Sequence, residues 1–156
     1  MAIGRLLKTD GTRPSFDWPS FDRTSIAWLP DRIRAVTVPF VGVVDDDEAL
    51  CSSLVDLMHS IGYRATPFRS AENFLTSPER FAVDCIIADI HMPGLGGLDL
   101  LREIHAQGIV TPVILITALP DRNLDEEAMS GGALCLLRKP FETSILLDWI
   151  ERSLLS

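Results

Sequence analysis

The chain has 156 residues, 47% of them hydrophobic and 23% charged, and its net charge is −8. This length suits one compact domain with an appendage, and the composition excludes a collagen-like or intrinsically disordered chain. The acidic balance disfavours DNA or RNA as a direct partner, because a polyanion is attracted only by local positive charge. Residues 1–20 contain no continuous apolar stretch, and the most apolar run, residues 36–44, is short and interrupted. We therefore predict no signal peptide, no membrane partner and a cytoplasmic location.

The charge is unevenly distributed along the chain and divides it at residue 38. Residues 1–38 hold six basic and four acidic side chains together with prolines and aromatic residues, without a clear period. We predict that they form an N-terminal extension of unknown role and that residues 39–156, which carry the acidic excess, form the folded domain.

The cysteines, Cys51, Cys85 and Cys135, are widely spaced among apolar residues, which predicts reduced core thiols and neither disulfides nor a paired zinc site.

In chain order, short apolar runs alternate with segments of helical period. The predicted strands are FVGVV (40–44), YRATPF (63–68), DCIIAD (84–89), PVILIT (112–117) and ALCLLR (133–138). Apolar residues at amphipathic helical spacing lie between them, as in Leu50, Leu54, Leu57, Met58 and Ile61. Four of the runs are almost continuously apolar, as expected of parallel strands that are covered on both faces. Right-handed crossovers then predict a doubly wound α/β fold, a five-stranded parallel sheet with five helices.

Helix boundaries and anchoring can also be predicted. Ser70 is placed to cap the second helix, and Gly131 with Gly132 is placed to end the fourth. That fourth helical stretch, residues 121–130, has few apolar side chains. We expect it to be the helix held least firmly against the sheet.

Polar residues follow four of the five predicted strands. Asp45 and Asp46 follow the first, Asp89 ends the third, Thr117 ends the fourth and Lys139 follows the fifth. Functional groups in doubly wound folds collect beyond the carboxyl ends of the strands, so these side chains should converge on one edge of the sheet. Clustered carboxylates need a cation to offset their repulsion. Mg²⁺ suits them, with Asp46 and Asp89 as ligands and Asp45 acting through water.

The same groups suit phosphoryl transfer. An aspartate can attack phosphorus to give an acyl phosphate, and the charge on the phosphoryl oxygens requires Mg²⁺ and a fixed cation. Lys139 supplies that cation, and the Thr117 hydroxyl can reach a phosphoryl oxygen. The next acids, Asp47 and Glu48, are explained more simply as residues that favour the start of a helix.

Four motifs together resemble the receiver domains of two-component response regulators, of the CheY-like and FixJ-like kind, over residues 39–156. The motifs are VVDDDE (43–48), IIADIHMPG (86–94), LITA (115–118) and RKPF (138–141). The resemblance implies a flavodoxin-like sheet with strand order 2-1-3-4-5. It also implies a signalling switch, not a turnover enzyme.

The resemblance implies a role for each site residue. Asp89 would be the phosphoacceptor, Asp45 and Asp46 the acidic pair that holds Mg²⁺ with Asp89, and the backbone carbonyl of His91 a further metal ligand. Thr117 would be the switch hydroxyl and Lys139 the phosphate-binding lysine.

Coupling and partners follow from the same resemblance. Leu136 stands where the family often has an aromatic residue that couples the site to the output surface, and the Lys139-Pro140 peptide bond is expected to be cis. The donor would be a sensor histidine kinase or a phosphotransfer protein. A downstream protein partner or a second copy would bind the surface formed by the fourth helix, the fifth strand and the fifth helix.

Four alternative functions are compatible with parts of this pattern. The chain could be the receiver fragment of a longer DNA-binding transcriptional regulator, although no output module is expected within residues 39–156. A phosphate-independent receiver-like scaffold is disfavoured by the complete acidic set with Thr117 and Lys139. A haloacid-dehalogenase-type phosphatase is disfavoured because Asp89 is followed by Ile90 and His91, without a second acid. A flavodoxin-like flavin binder is disfavoured because the first loop is acidic.

Overall fold

A computed structural model describes residues 38–155, so the predicted N-terminal extension lies outside the described residues except for its last position. The elements in chain order are β1 (Phe40–Val44), α1 (Glu48–Ser60), β2 (Arg64–Phe68), α2 (Ala71–Thr76), a short 3₁₀ helix (Pro78–Phe81), β3 (Cys85–Asp89), α3 (Gly97–Ala106), β4 (Val113–Thr117), α4 (Asn123–Ser130), β5 (Cys135–Arg138) and α5 (Thr143–Leu155). The strands form one parallel sheet in the order β2-β1-β3-β4-β5. The predicted fold class and strand order are confirmed.

The sheet separates two apolar layers, because successive side chains of a strand point to opposite faces. Val41 and Val43 of β1 pack in a cluster with α1 and α5, whose members include Cys51, Leu54, Met58, Leu146 and Ile150. Phe40 and Val44 pack on the other face with α2, α3 and α4, in a cluster that includes Phe74, Leu100, Leu101, Ile104, Leu124 and Ala128. Every residue of β1, β3 and β4 is buried, as the continuous apolar runs predicted.

Local hydrogen bonds explain where several helices begin. The Asp47 carboxylate accepts from Leu50 N (3.2 Å) and the Ser70 hydroxyl accepts from Asn73 N (3.0 Å), so both residues are N-caps. The N-cap predicted at Ser70 and the helix-start role predicted for Asp47 are confirmed. In contrast, α4 begins without a side-chain cap and buries two side chains, Leu124 and Ala128. This agrees with the expectation that α4 is weakly anchored.

Two observations bear on the predictions about cysteines and membranes. All three cysteines are buried and free, as predicted for core thiols. Within residues 38–155, the structure contains no helix with the length and apolar character needed to cross a membrane.

Candidate functional site

Three carboxylates meet at the carboxyl edge of the sheet. Asp45 follows β1 and Asp89 ends β3, and these strands are neighbours with Val44 opposite Ala88. One carboxylate oxygen from each of Asp45, Asp46 and Asp89 lies within 4.8 Å of the others. Asp45 and Asp89 are buried, whereas Asp46 is exposed. The predicted convergence of these three acids therefore occurs in the fold.

Asp45 has one satisfied oxygen and one that lacks a hydrogen bond. Its Oδ1 accepts from Asp47 N at 2.9 Å, but among the described residues no donor hydrogen bonds to Oδ2. The Lys139 Nζ atom lies 3.5 Å from that oxygen. Burial, together with the neighbouring acids, raises the pKa of Asp45 to about 6 against the opposing effects of the Asp47 N–H group and Lys139. A buried carboxylate oxygen without a donor is costly, and a bound cation would satisfy it.

Both oxygens of Asp89 accept hydrogen bonds. His91 N donates to Oδ1 at 2.9 Å and Lys139 Nζ donates to Oδ2 at 2.8 Å. Burial lowers the pKa of Lys139, but the hydrogen bond to Asp89 and the charges of Asp45 and Asp89 outweigh it and raise that pKa above its ordinary value. Lys139 therefore carries its charge at neutral pH and lies against the carboxylates of two different strands.

The donor set fits a hard divalent cation. Oxygen atoms of three carboxylates lie close together, and Mg²⁺ is bound in proteins by one or two carboxylates with several waters retained. One oxygen, Asp45 Oδ2, is buried without a donor among the described residues. The residues present therefore fit the ion that the sequence predicted.

Thr117 lies at the end of β4, fully buried. Its hydroxyl oxygen accepts from Leu119 N at 3.1 Å, and its carbonyl accepts from Lys139 N at 2.7 Å. Within the part of the chain that the structure describes, the hydroxyl is hydrogen-bonded to the loop after β4 and not to Asp89. Thr117 is therefore linked to Lys139 through the backbone and to the loop that precedes α4 through its side chain.

The remaining predicted residues surround this edge of the sheet. His91 is exposed, and its backbone N–H group contacts Asp89; a role for its carbonyl stays a prediction. Leu136 is half-buried against the apolar cluster on the α2–α4 face. The Lys139-Pro140 bond is cis, as expected, and Pro140 is exposed.

Two polar residues near the site were missed by the sequence reasoning. Glu72, in the first turn of α2, accepts a hydrogen bond from Leu95 N at 2.9 Å and so contacts the loop that follows Asp89. Arg138, the last residue of β5, forms an ion pair with Asp125 of α4 at 2.9 Å. Neither side chain belongs to an apolar period or directly follows a strand. The only sequence signal was the charge of Arg138 at the end of an otherwise apolar strand.

The comparisons agree on one family. The family model of the response regulator receiver domain matches residues 41–151. The transcriptional regulatory protein FixJ of Bradyrhizobium diazoefficiens is 38% identical over 112 residues, which are 72% of this chain and 55% of that protein. FixJ of Azorhizobium caulinodans is 40% identical over 114 residues, 73% of this chain and 54% of that protein. This chain thus spans about half the length of the curated relatives that it matches.

Solved structures give the same result. The crystal structure of FixJ-N has a TM-score of 0.71 and 32% identity, and the match covers 77% of this chain and 96% of that one. The response regulator StyR has a TM-score of 0.68 and 37% identity, with 76% and 60% covered.

The fold and the acidic pocket define a CheY-like α/β domain. The chain belongs to the response regulator receiver domain family of two-component systems. Receiver domains are signalling switches and not classical enzymes, and as a family they are phosphorylated on an aspartate and bind Mg²⁺ in an acidic pocket.

Proposed function

We propose that this receiver accepts a phosphoryl group on Asp89 from the phosphohistidine of a sensor histidine kinase or a phosphotransfer protein. The observation that carries the proposal is the 2.8 Å contact between Lys139 Nζ and Asp89 Oδ2 beside two further carboxylates. Asp89 combines burial, a fixed cation and neighbouring metal-type ligands. A buried aspartate with these neighbours is suited to become an acyl phosphate.

The transfer is a displacement at phosphorus. A carboxylate oxygen of Asp89 attacks, the new P–O bond forms, and the P–N bond to the donor imidazole breaks. The imidazole leaves with the electron pair of that bond and takes a proton from water. Lys139 stays beside the reacting oxygens and offsets the charge that they carry, because an ammonium already in place needs little reorganisation during the reaction.

The residues proposed to hold Mg²⁺ are Asp45, Asp46, Asp89 and, through its backbone carbonyl, His91. The bound ion would supply positive charge to the phosphoryl oxygens. Asp45 contributes a buried oxygen without a donor among the described residues, and Asp46 contributes an exposed one. The same site would serve the self-catalysed hydrolysis that returns the chain to its unphosphorylated state.

The output is proposed to be a change in the α4–β5–α5 surface. A phosphoryl group on Asp89 would offer acceptors to the Thr117 hydroxyl, and movement of Thr117 would carry the loop at Leu119 with it. A ligand shifts such an equilibrium by favouring one of two conformations. A downstream protein or a second copy of this chain would then bind that surface in one state in preference to the other.

Phosphorylation can be tested with a small donor, without knowledge of the kinase. The chain is incubated with acetyl phosphate and Mg²⁺, and its intact mass is measured before and after treatment with hydroxylamine, which cleaves acyl phosphates. We expect one phosphoryl group that hydroxylamine removes, and none on Asp89→Asn or when EDTA replaces Mg²⁺. An equal adduct on Asp89→Asn, or no adduct on the wild-type chain, would refute the assignment.

The relatives' names fit a second candidate equally well. FixJ is named a transcriptional regulatory protein, and this chain spans about half of it, so the receiver could belong to a longer DNA-binding regulator. An immunoblot of source cells with an antibody to the receiver distinguishes the two by the size of the protein detected. Fractionation of the same cells tests the predicted cytoplasmic location.

A further inference from the structure

Arg138 connects the end of β5 to the start of α4 through three hydrogen bonds. Its guanidinium donates to both carboxylate oxygens of Asp125, at 3.1 and 2.9 Å, and to the backbone carbonyl of Asp121 at 2.8 Å. A guanidinium presents its donors in a planar fork that matches a carboxylate in this two-point manner. The hydrogen bond from Arg138 holds the pKa of Asp125 below its ordinary value. The contact is therefore directional, although both side chains are partly open to solvent.

The helix at the other end of this contact has few other attachments. The residue before it, Arg122, stands at the N-cap position but makes no capping hydrogen bond, and the buried side chains of α4 are Leu124 and Ala128. The other helices that flank the sheet are held differently: α1 and α2 have side-chain caps, and α3 buries four residues. A polar contact that contributes little to the stability of a well-packed helix contributes a larger fraction to that of a weakly packed one.

The strand end of the contact lies next to the site residues Thr117 and Lys139. Arg138 is opposite Thr117 in the β4–β5 pairing, and the next residue, Lys139, donates its backbone N–H to the Thr117 carbonyl. The Thr117 hydroxyl accepts from Leu119, two residues before Asp121. The segment from Thr117 to Asp125 is thus attached to β5 at both ends, by the backbone at Thr117 and by the Arg138 side chain at Asp121 and Asp125.

We propose that Arg138 is a positioning residue that holds α4 in the arrangement of the unphosphorylated chain and transmits displacement of Thr117 and Lys139 to that helix. This role rests on the proposed function, because it concerns how the phosphoacceptor site would control its output surface. Leu136 cannot make this connection, because its apolar side chain packs in the core cluster. Arg138 gives β5 a polar link to α4.

The experiment measures amide hydrogen exchange of α4 in the full chain, first without phosphate. We expect Arg138→Ala and Asp125→Asn each to raise α4 exchange about threefold or more, since both remove the same link. Arg138→Lys should protect only in part, because an ammonium lacks the fork. The charge swap that combines Arg138→Asp with Asp125→Arg should restore much of the protection that either single change removes.

A matched control is available on α3. Arg102 and Asp99 form an exposed ion pair at 3.3 Å, and Arg102→Ala should leave α4 exchange unchanged. If Arg138→Ala leaves α4 exchange at the wild-type value, or if the charge swap is no better protected than the single variants, the positioning role is refuted. A general loss of protection in α1 and α5 together with α4 would refute it too, since the role is specific to α4.

A second measurement separates this inference from the proposed function. After treatment with acetyl phosphate and Mg²⁺, the wild-type chain should change its α4 exchange, and Arg138→Ala should take up phosphate but show a change at most half as large. If the wild-type chain takes up no phosphate, the proposed function is refuted. The amide exchange of the variants without phosphate then still tests whether the Arg138–Asp125 contact holds α4. An equal response in wild type and Arg138→Ala would refute transmission through Arg138.

Discussion

The Lys139 ammonium lies 2.8 Å from the Asp89 carboxylate although their strands, β5 and β3, are separated in the sheet by β4. The lysine reaches across the end of β4, and it also lies 3.5 Å from Asp45, the residue after β1. One side chain thus contacts the acids of two other strands. Its charge is fixed in place by the fold before any phosphoryl donor arrives.

Removal of this charge should slow phosphorylation and leave the fold intact. We expect Lys139→Met to lower the rate of phosphorylation by acetyl phosphate by about 10²-fold, the usual effect of deleting one preorganised electrostatic group. Lys139→Arg keeps the charge and should lose less. The rate is followed by intact mass over time, with circular dichroism to check folding. A folded Lys139→Met chain that reacts at the wild-type rate would contradict the role given to Lys139.

Asp45 should destabilise the chain in the absence of metal. Its Oδ2 is buried without a donor among the described residues, and an amide of the same shape removes the buried charge. We expect Asp45→Asn to raise the free energy of unfolding by roughly 1–2 kcal/mol in EDTA. Mg²⁺ should stabilise the wild-type chain but not the variant.

The control for Asp45 is its neighbour in the sequence. Asp46 is exposed, so Asp46→Asn should change the stability in EDTA little while still weakening the response to Mg²⁺. Urea unfolding with and without Mg²⁺ measures both effects. If Asp45→Asn were less stable than the wild type in EDTA, the idea that the Asp45 carboxylate destabilises the metal-free fold would be wrong.

The core thiols should make the fold less stable at high pH. Burial raises the pKa of Cys85 to about 11 and that of Cys135 to about 12, whereas a thiol in the unfolded chain has a pKa of about 8.5. Above that value the unfolded state binds fewer protons than the folded state, so stability falls as pH rises. Below it both states hold the proton and the thiols add no pH dependence.

Urea unfolding between pH 8 and pH 10 measures this fall. Cys135→Ala removes one of the ionising thiols and should show a shallower decline, by at most about 1.4 kcal/mol per pH unit. Parallel curves for the variant and the wild type would show that the thiol is not protected from ionisation. The comparison rests on the slopes, since the smaller side chain also lowers stability at every pH.

Gly97 packs closely against the end of β3, beside Asp89. A β-carbon at this position would lie 2.6 Å from the backbone oxygen of Asp89 and 3.0 Å from a methyl group of Leu115. We expect Gly97→Ala to lower the free energy of unfolding by about 1–3 kcal/mol and to slow phosphorylation, because the backbone of Asp89 must shift. Gly108→Ala is the control: it meets no atom within 4 Å, is strained only by its positive φ, and should not affect phosphorylation.

The sequence predicted the site better than it predicted what surrounds it. Asp45, Asp89 and Lys139 were predictable because each lies where an apolar run ends, and a parallel sheet brings such ends together. Pairing of Arg138 with Asp125 was not predictable, because it depends on the reach of a long side chain from a strand to a helix.

Two local features show the same limit. The helix predicted from residue 121 begins at Asn123, because the Asp121 carboxylate accepts from Asn123 N at 2.9 Å and holds a turn there. The 3₁₀ helix Pro78–Phe81 is too short to have an apolar period, and it begins where the Ser77 hydroxyl accepts from Glu79 N. Both depend on side-chain bonds over two residues, which periodicity does not reveal.

The hydrogen bond at Thr117 has a consequence for which residues could replace it. The hydroxyl accepts from Leu119 N through a lone pair, so its own proton is available to donate to an oxygen at Asp89 without loss of the bond to the loop. A hydroxyl at this position could therefore bind the loop and a phosphoryl group proposed on Asp89 at the same time. Serine would keep both hydrogen bonds. Valine matches threonine in shape but has no hydroxyl, so it would remove the hydrogen bond to Leu119 N.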